Sequence, residues 1–376
     1  MSEFNLQEVA VITVNGVAYQ QWDEFTLEYM VGSQPCVNFR IGWTEPNAYI
    51  GKAGMQPIPT DIVSCTLGGV PALANAEVTV RQAHYTATQH DIHITAATNV
   101  KLFSSSVDVN PGEHKNQTLQ QIVSSIAGKV GVQVQVQNAP GANLPFPVYR
   151  ETVGQDRVSA IEILGRCRNM HLCPDTTNGI FHMVRAATPV FGGTGATLVE
   201  GQNILEGHIT LQNDYDTQLG TNPNPQTFNV QSQTPGGSTT NQAGTLSANI
   251  LVPVQNPFAG VFGSVAPEWL KTVTLVPELP LSPAEAQLRG QHEIDLTGFR
   301  IAEAVIKVSG WFNGGSLWGQ GVGSHITLNS PSLVPPRVSV GAGWWLKGVR
   351  YKQGNKEGSV TELILNTKLS NTSPQI

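Results

Sequence analysis

The sequence is short of charge, of cysteine and of long apolar runs, and each shortage removes a class of protein. Only 13% of its 376 residues are charged, against about 25% in soluble domains. The formal net charge is −6, and no run of Lys or Arg reaches four residues, so the footprint of a sequence-specific DNA binder is missing. A negative wall would instead let DNA slide past. The four cysteines, Cys36, Cys65, Cys167 and Cys173, are irregularly spaced. That removes a disulfide framework, a zinc site and a Cys-x-x-Cys redox site, and leaves reduced, mostly buried thiols as the expectation. Nowhere do about eighteen apolar residues run together. Residues 1–5 carry no basic segment ahead of an apolar one, so a protein made soluble in a cytoplasm is expected.

What is present favours strands, turns and broad polar interfaces: 38 Gly and 24 Pro, with many amide and hydroxyl side chains. The length exceeds what one core usually supports and predicts two or three β-rich units. Residues 9–14, Asn15-Gly16 and residues 17–19 read as a hairpin on a type I′ turn. Period-two stretches follow at 25–29, 37–41, 77–80 and 91–95, which argues for a barrel or sandwich. The pattern then changes. Thr118-Leu119-Gln120-Gln121 has the form of a capping box, and Leu119, Ile122, Val123, Ile126 and Val130 keep helical spacing up to Gly131. A strand at 132–136 follows, then a second helix from Asp156 burying Val158, Ile161, Leu164 and Cys167. A hairpin over 170–184 closes an α+β block, with both helices packed on its sheet. Residues 213–263 are rich in Asn, Gln, Gly, Ser and Thr and read as an extended loop. Ser282-Pro283-Ala284-Glu285 signals a third helix, ending near His292. Strands are expected again at 304–308, 325–328, 338–340, 344–351 and 361–365.

Candidate chemistry is thin. His84, His90 and His93 are the densest histidine group, yet His90 and His93 face opposite sides of one strand, and only Asp91 shares a face with His93. Residues 192–197, Gly-Gly-Thr-Gly-Ala-Thr, lack the ending of a phosphate loop and a following helix, and read as a connection. Glu151 with Asp156, and Asp214 with Asp216 around Tyr215, could be paired carboxylates of a glycosidase. Carboxylates in such positions are more often caps. No Gly-x-Ser-x-Gly elbow or His-Glu-x-x-His helix occurs. Trp311, Trp318, Trp344 and Trp345 offer either a sugar platform or packing, and packing is favoured.

Four stretches carry a family resemblance. The first is the opening hairpin with Tyr19, Trp22 and the strand from Phe25 to Tyr29. The second is Asn116-Gln117-Thr118-Leu119-Gln120-Gln121-Ile122 through Val130-Gly131-Val132-Gln133-Val134, similar to a Thr-Leu-x-x-Ile helix leading into a Gly-Val-x-Val strand. The third runs from Glu151-Thr152-Val153 through Ala160-Ile161 and Leu164 to Leu172, Asp175, Gly179 and Arg185-Ala186. The fourth joins Gly310-Trp311, Gly315-Ser316-Leu317-Trp318, Trp345-Leu346-Lys347-Gly348-Val349 and Gly358-Ser359-Val360-Thr361-Glu362-Leu363. In this order the chain resembles the baseplate hub proteins of contractile phages, typified by the phage Mu hub and similar to the T4 baseplate hub. It departs from them at residues 96–101, which lack a Gly-Arg-Asp-type turn, and at 220–265, which are unusually neutral.

The resemblance implies a mainly β chain with an α+β insertion: two tail-tube-like antiparallel β-barrels plus small accessory helices. Residues 1–108 would be the first barrel, completed by strands within 198–235. Residues 109–190 would be the α+β block, 191–280 a loop-rich connection, 281–370 part of the second barrel and 371–376 a tail. It implies a non-enzymatic homotrimer that adapts a sixfold tail tube to a threefold central spike. Partners would be the tube or distal tail protein, the spike, baseplate wedge proteins and the tape measure protein. DNA would pass through the lumen without sequence-specific binding, and no membrane partner is implied. The location would be the virion baseplate, after assembly in the host cytoplasm. No catalytic, cofactor-binding or metal residue is implied. Two alternatives remain: a glycan-binding module, from a LysM-like helix and strand at 118–136, and a polysaccharide-cleaving tail enzyme using Trp344 or Trp345.

Overall fold

Alternation of apolar and polar residues at period two dictates pleated strands with one buried face, and it recurs through most of this chain. A computed structural model describes residues 9–19, 22–33, 35–41, 57–86, 90–107, 112–139, 141–175, 179–185, 196–211, 227–233, 249–255, 272–335, 343–354 and 358–368. The architecture is mainly β, with several antiparallel sheets and four helices among the described residues.

The N-terminal set comprises β1 (Ala10–Val14), β2 (Val17–Tyr19), β3 (Glu24–Met30), β4 (Cys36–Ile41), β5 (Ile62–Leu67), β6 (Val70–Tyr85) and β7 (His90–Ala97). The β1–β2 turn has φ of 48° at Asn15 and 82° at Gly16, the doubly positive geometry of the expected turn. The short helix α1 (Val100–Ser104) ends this set. The α+β block contains β8 (Glu113–Gln117), α2 (Leu119–Gly128), β9 (Val134–Val136), β10 (Phe146–Arg150), α3 (Arg157–Arg166), β11 (His171–Pro174) and β12 (Phe181–Val184). Thr118 and Gln121 form the predicted capping box on α2. The predicted hairpin is present as β11–β12, and β9 adds to it in parallel.

Five more strands follow: β13 (Ala196–Val199), β14 (Glu206–Leu211), β15 (Thr227–Gln233), β16 (Asn249–Gln255) and β17 (Thr272–Leu275). These correct the expectation of a loop-rich 191–280. The strands are short, and β15 and β16 gain apolar contacts from a distant element. Phe228, Val230 and Val254 are buried, and β15 and β16 pack on α4 (Pro283–Ile301). The expected completion of the N-terminal set by strands within 198–235 is also corrected. β13 pairs β21 (His325–Asn329), β14 pairs β18 (Ala302–Ser309), and β15 pairs β16 and β17.

Ser282, Pro283 and Glu285 start α4 as predicted, with Ser282 N–H donating to Glu285 at 2.7 Å. The helix runs nine residues beyond the expected stop at His292, to Ile301. Side chains of the large sheet cap its end: Asn366 Nδ2 donates to Phe299 O at 2.7 Å and Thr367 Oγ1 to Gly298 O at 2.8 Å. These satisfy helix carbonyls that would otherwise be orphaned.

The C-terminal set is completed by β19 (Phe312–Asn313), β20 (Ser316–Leu317), a 3-10 turn at Trp318–Gly321, β22 (Gly343–Gly354) and β23 (Gly358–Lys368). The strand expected at 338–340 lies outside the described residues. The two sets anticipated as separate barrels are joined in one 13-stranded sheet, in the order β14-β18-β23-β22-β3-β4-β7-β6-β5-β1-β2, with β21 and β13 branching from β22. The seam is the antiparallel β22–β3 ladder, seven residues long from Gly348↔Met30 to Gly354↔Glu24. On its buried face Tyr29 and Tyr351 meet edge-on at 6.3 Å.

The α+β block is fixed to this framework by a sealed ion pair. Arg168 is buried and bonds Glu285 at 2.7 Å while lying over the Phe146 ring at 3.8 Å. Gly32 N–H, in the β3–β4 turn, donates to Leu172 O at 2.7 Å.

Candidate functional site: the polar face of the large sheet

One face of the 13-stranded sheet supplies the core. Phe25, Leu27, Tyr29, Val37, Phe39, Ile92, Ile94, Val349, Tyr351, Leu363 and Leu365 are all buried. Strand alternation turns their sequence neighbours to the opposite, polar face. Cross-strand register then decides which of those neighbours meet.

In one row, Glu206 on β14 stands opposite Lys307 on β18, Lys307 opposite Glu362 on β23, Glu362 opposite Arg350 on β22, and Arg350 opposite Glu28 on β3. Charges of alternating sign thus cross five adjacent strands and the seam itself. Arg350 spans the seam, bonding Glu28 at 2.8 Å and Glu362 at 2.9 Å, while Lys352 bonds Glu362 diagonally. Lys307 reaches Glu206 at 3.7 Å. Burial raises the Glu362 carboxyl, but hydrogen bonds from Lys352 and Arg350 outweigh it and hold the group below its ordinary range. Burial pulls the Arg350 guanidinium down, and Glu28 and Glu362 more than restore it.

The neighbouring rows continue the pattern with fewer charges. Lys352 stands opposite Thr26, Thr26 opposite Asn38 and Asn38 opposite Thr95, whose hydroxyl donates to Asn38 Oδ1 at 2.7 Å. Beyond them Glu24, Arg40, His93 and Gln82 form a further row, with Arg40 and Glu24 at 3.2 Å. Across these rows Glu24, Glu28, Glu206 and Glu362 are matched by Arg40, Lys307, Arg350 and Lys352. The rows form a polar wall in which charge is neutralised locally, so the chain's net negative charge is not carried there.

No protein-family model and no curated protein matches the sequence. Solved structures match the fold over nearly its whole length. The 43 kDa tail protein of prophage MuSo2 from Shewanella oneidensis superposes with a TM-score of 0.72 at 17% identity, covering 95% of this chain and 97% of that one. A tail protein from Neisseria meningitidis gives 0.69 at 13% identity, covering 96% of each chain. The chain has the fold of phage tail proteins. A further match, at TM-score 0.53 and 9% identity over 96% of this chain and 77% of that one, is an E. coli type VI secretion component described as structurally similar to the T4 tail proteins gp27 and gp5.

Within this tail fold the residues weighed for chemistry are dispersed or sealed. Trp311, Trp318, Trp344 and Trp345 are all buried, so they pack and present no platform to a sugar. Glu151 is buried and committed: Lys129 Nζ lies 2.7 Å from one oxygen and His114 Nε2 3.1 Å from the other. Burial raises its carboxyl, and these two partners with the Gly112 backbone hold it below the ordinary range. Asp156 is the N-cap residue of α3. Asp214, Tyr215 and Asp216 lie outside the described residues. His84 stands opposite Asp91, and His93 opposite Arg40 and Gln82; the side chain of His90 lies outside the described residues. No group of metal-ligating side chains occurs among the described residues. Residues 191–195 are likewise outside them, and Ala196 onward is strand β13. The four cysteines are free, and burial pushes the Cys167 and Cys173 thiols up to about 12.

Sequence reasoning missed the charged rows, although Glu28, Arg40, Lys307, Arg350 and Glu362 lie in predicted strands. Alternation assigns each side chain a face, whereas the row requires the register between strands up to 322 positions apart, as for Arg350 and Glu28.

Proposed function

We propose that this chain is a structural subunit of a phage-type tail: a non-enzymatic hub that ends the tube as a homotrimeric ring and seats a central spike. The observation that carries this reading is the end-to-end agreement of fold with the prophage tail protein, 95% of one chain against 97% of the other. The architecture supports it physically. Two β sets in one chain, fused edge to edge, let three copies offer six related modules to a sixfold tube. On this reading residues 1–108 and 281–370 supply the two tube-like units, and the α+β block at 109–190 is an outward accessory.

The polar face suits the wall of a channel. Matched rows of Glu with Arg or Lys give DNA phosphates no excess of positive charge to adhere to. Because each charge already has a partner, the wall needs no counter-ions to hold its shape. The partners are a tube or distal tail protein, the spike, and the wedge and tape measure proteins; the location is the virion baseplate.

Co-expression with a tail tube protein and a spike protein, followed by electron microscopy, tests the proposal. Tubes ending in a ring that contains this chain and holds a spike would support it. Tubes and spikes that assemble without incorporating the chain would contradict it.

A further inference from the structure

His171 opens β11 and His292 lies midway along α4, and the two rings stack with centroids 4.4 Å apart and planes 19° apart. The stack continues from His171 to Phe299 at 5.5 Å and from Phe299 to Trp345 at 4.9 Å. Four aromatic rings therefore fasten the α+β block to α4 and to β22. Both histidines are at least nine-tenths buried, at 9% and 5% exposure. His171 Nε2 and His292 Nδ1 have no hydrogen-bond partner among the described residues. Both residues also line a cavity of about 640 Å³ between the block, α4 and the large sheet, which gives solvent protons a route to the pair.

Most of the carboxylates around the stack are already held by cations and are not offered to an added proton. From α3 come Glu162 and Arg166, from α4 Arg289 and Glu293, from the segment before it Glu278, from β18 Glu303 and from β22 Lys347. Arg166 holds Glu278 at 2.8 Å, Arg289 holds Glu293 at 2.5 Å and Lys347 holds Glu303 at 3.3 Å. These carboxylates are already engaged, and Arg289 and Arg166 act on His292 as neighbouring positive charges.

We propose that the His171–His292 stack is an acid-sensitive latch: two neutral imidazoles hold the α+β block against α4, and protonation of either one releases it.

The sign follows from linkage. Burial pushes His171 down to about 4. Burial first, then His171 and the two guanidiniums, hold His292 well below its ordinary value. In a released junction both return to about 6.5, so the released state binds more protons throughout the interval between. The latch is fully closed above about pH 6.5 and weakens as pH falls toward 4. Burial raises the Glu162 carboxyl, which acts in the opposite direction and does not account for weakening in acid.

Hydrogen exchange of the full chain at pH 7.5 and pH 5, expressed as protection relative to intrinsic rates, tests this. Protection of α4 and β11 amides should fall on the order of thirty-fold at pH 5 from one histidine alone, while β3 and β4 amides keep theirs. The double variant His171→Phe/His292→Phe keeps the stacked rings and should show no such fall; His171→Gln/His292→Gln, run in parallel, covers a failure of the first to fold. Equal protection of α4 and β11 in the unmodified protein at both pH values would overturn the latch. So would a fall of the same size in a folded double variant, which would assign the effect to carboxylates.

Discussion

Arg168 illustrates what single residues do here. Its side chain is fully buried, and burial holds its guanidinium below the ordinary value, with Glu285 at 2.7 Å offsetting only part of that. Glu285 also completes the cap of α4, so one carboxylate fixes the helix start and the block together. Removing one member leaves the other charged and unpaired in the interior. Arg168→Met should therefore cost about 3–5 kcal/mol in denaturant unfolding, and adding Glu285→Gln, which keeps a cap acceptor, should recover part of that loss. A larger loss in the double variant would contradict the pairing. The sequence does not disclose this role, because Arg166 and Arg168 flank Cys167 as two arginines that nothing in the local pattern tells apart. Only the fold separates Arg166, about one-third exposed and bonded to Glu278, from its sealed neighbour. Buried thiols and packed tryptophans were legible, since both follow from residue type.

Local signals fixed the beginnings of elements better than their ends. The capping boxes at Thr118 and Ser282 and the Asn15-Gly16 turn are written in three or four adjacent residues, and all are present. The end of α4 is set by Asn366 and Thr367, more than sixty positions away, and no local signal predicts it. The strands between 196 and 275 were hidden for a related reason: their apolar partners lie on α4 and the C-terminal set. Gly290 shows the closeness of that packing. A Cβ there would stand 2.5 Å from Val254 Cγ2 and 3.1 Å from Val230 Cγ2. Gly→Ala inside an exposed helix stabilises by roughly 1 kcal/mol. Gly290→Ala should instead destabilise by about 1–3 kcal/mol through overpacking, read as a lower denaturant midpoint. A raised midpoint would show that β15 and β16 do not press on α4.

On the scale of the whole molecule, the seam between β22 and β3 is the feature that joins the two strand sets into one sheet. Period-two patterning announced two strand sets at the ends of the chain but not their fusion, because pairing partners across the seam are separated by most of the sequence. Once fused, the sets share a core face and a charge-matched polar face. Arg350 is about one-third exposed, so each of its two ion pairs contributes within the 0.2–1 kcal/mol range of surface pairs. Arg350→Gln should cost about 1 kcal/mol in low salt and less in 1 M salt, where such pairs are screened. A salt-independent loss would mean that packing, including the Tyr29–Tyr351 contact, holds the seam alone. The proposed trimeric hub is checked by the mass of the purified chain in solution by light scattering, alone and mixed with tail tube and spike proteins. A species near three times 40.3 kDa, formed alone or on addition of the spike, is expected. A chain that stays at one copy and leaves the masses of tube and spike unchanged would contradict it.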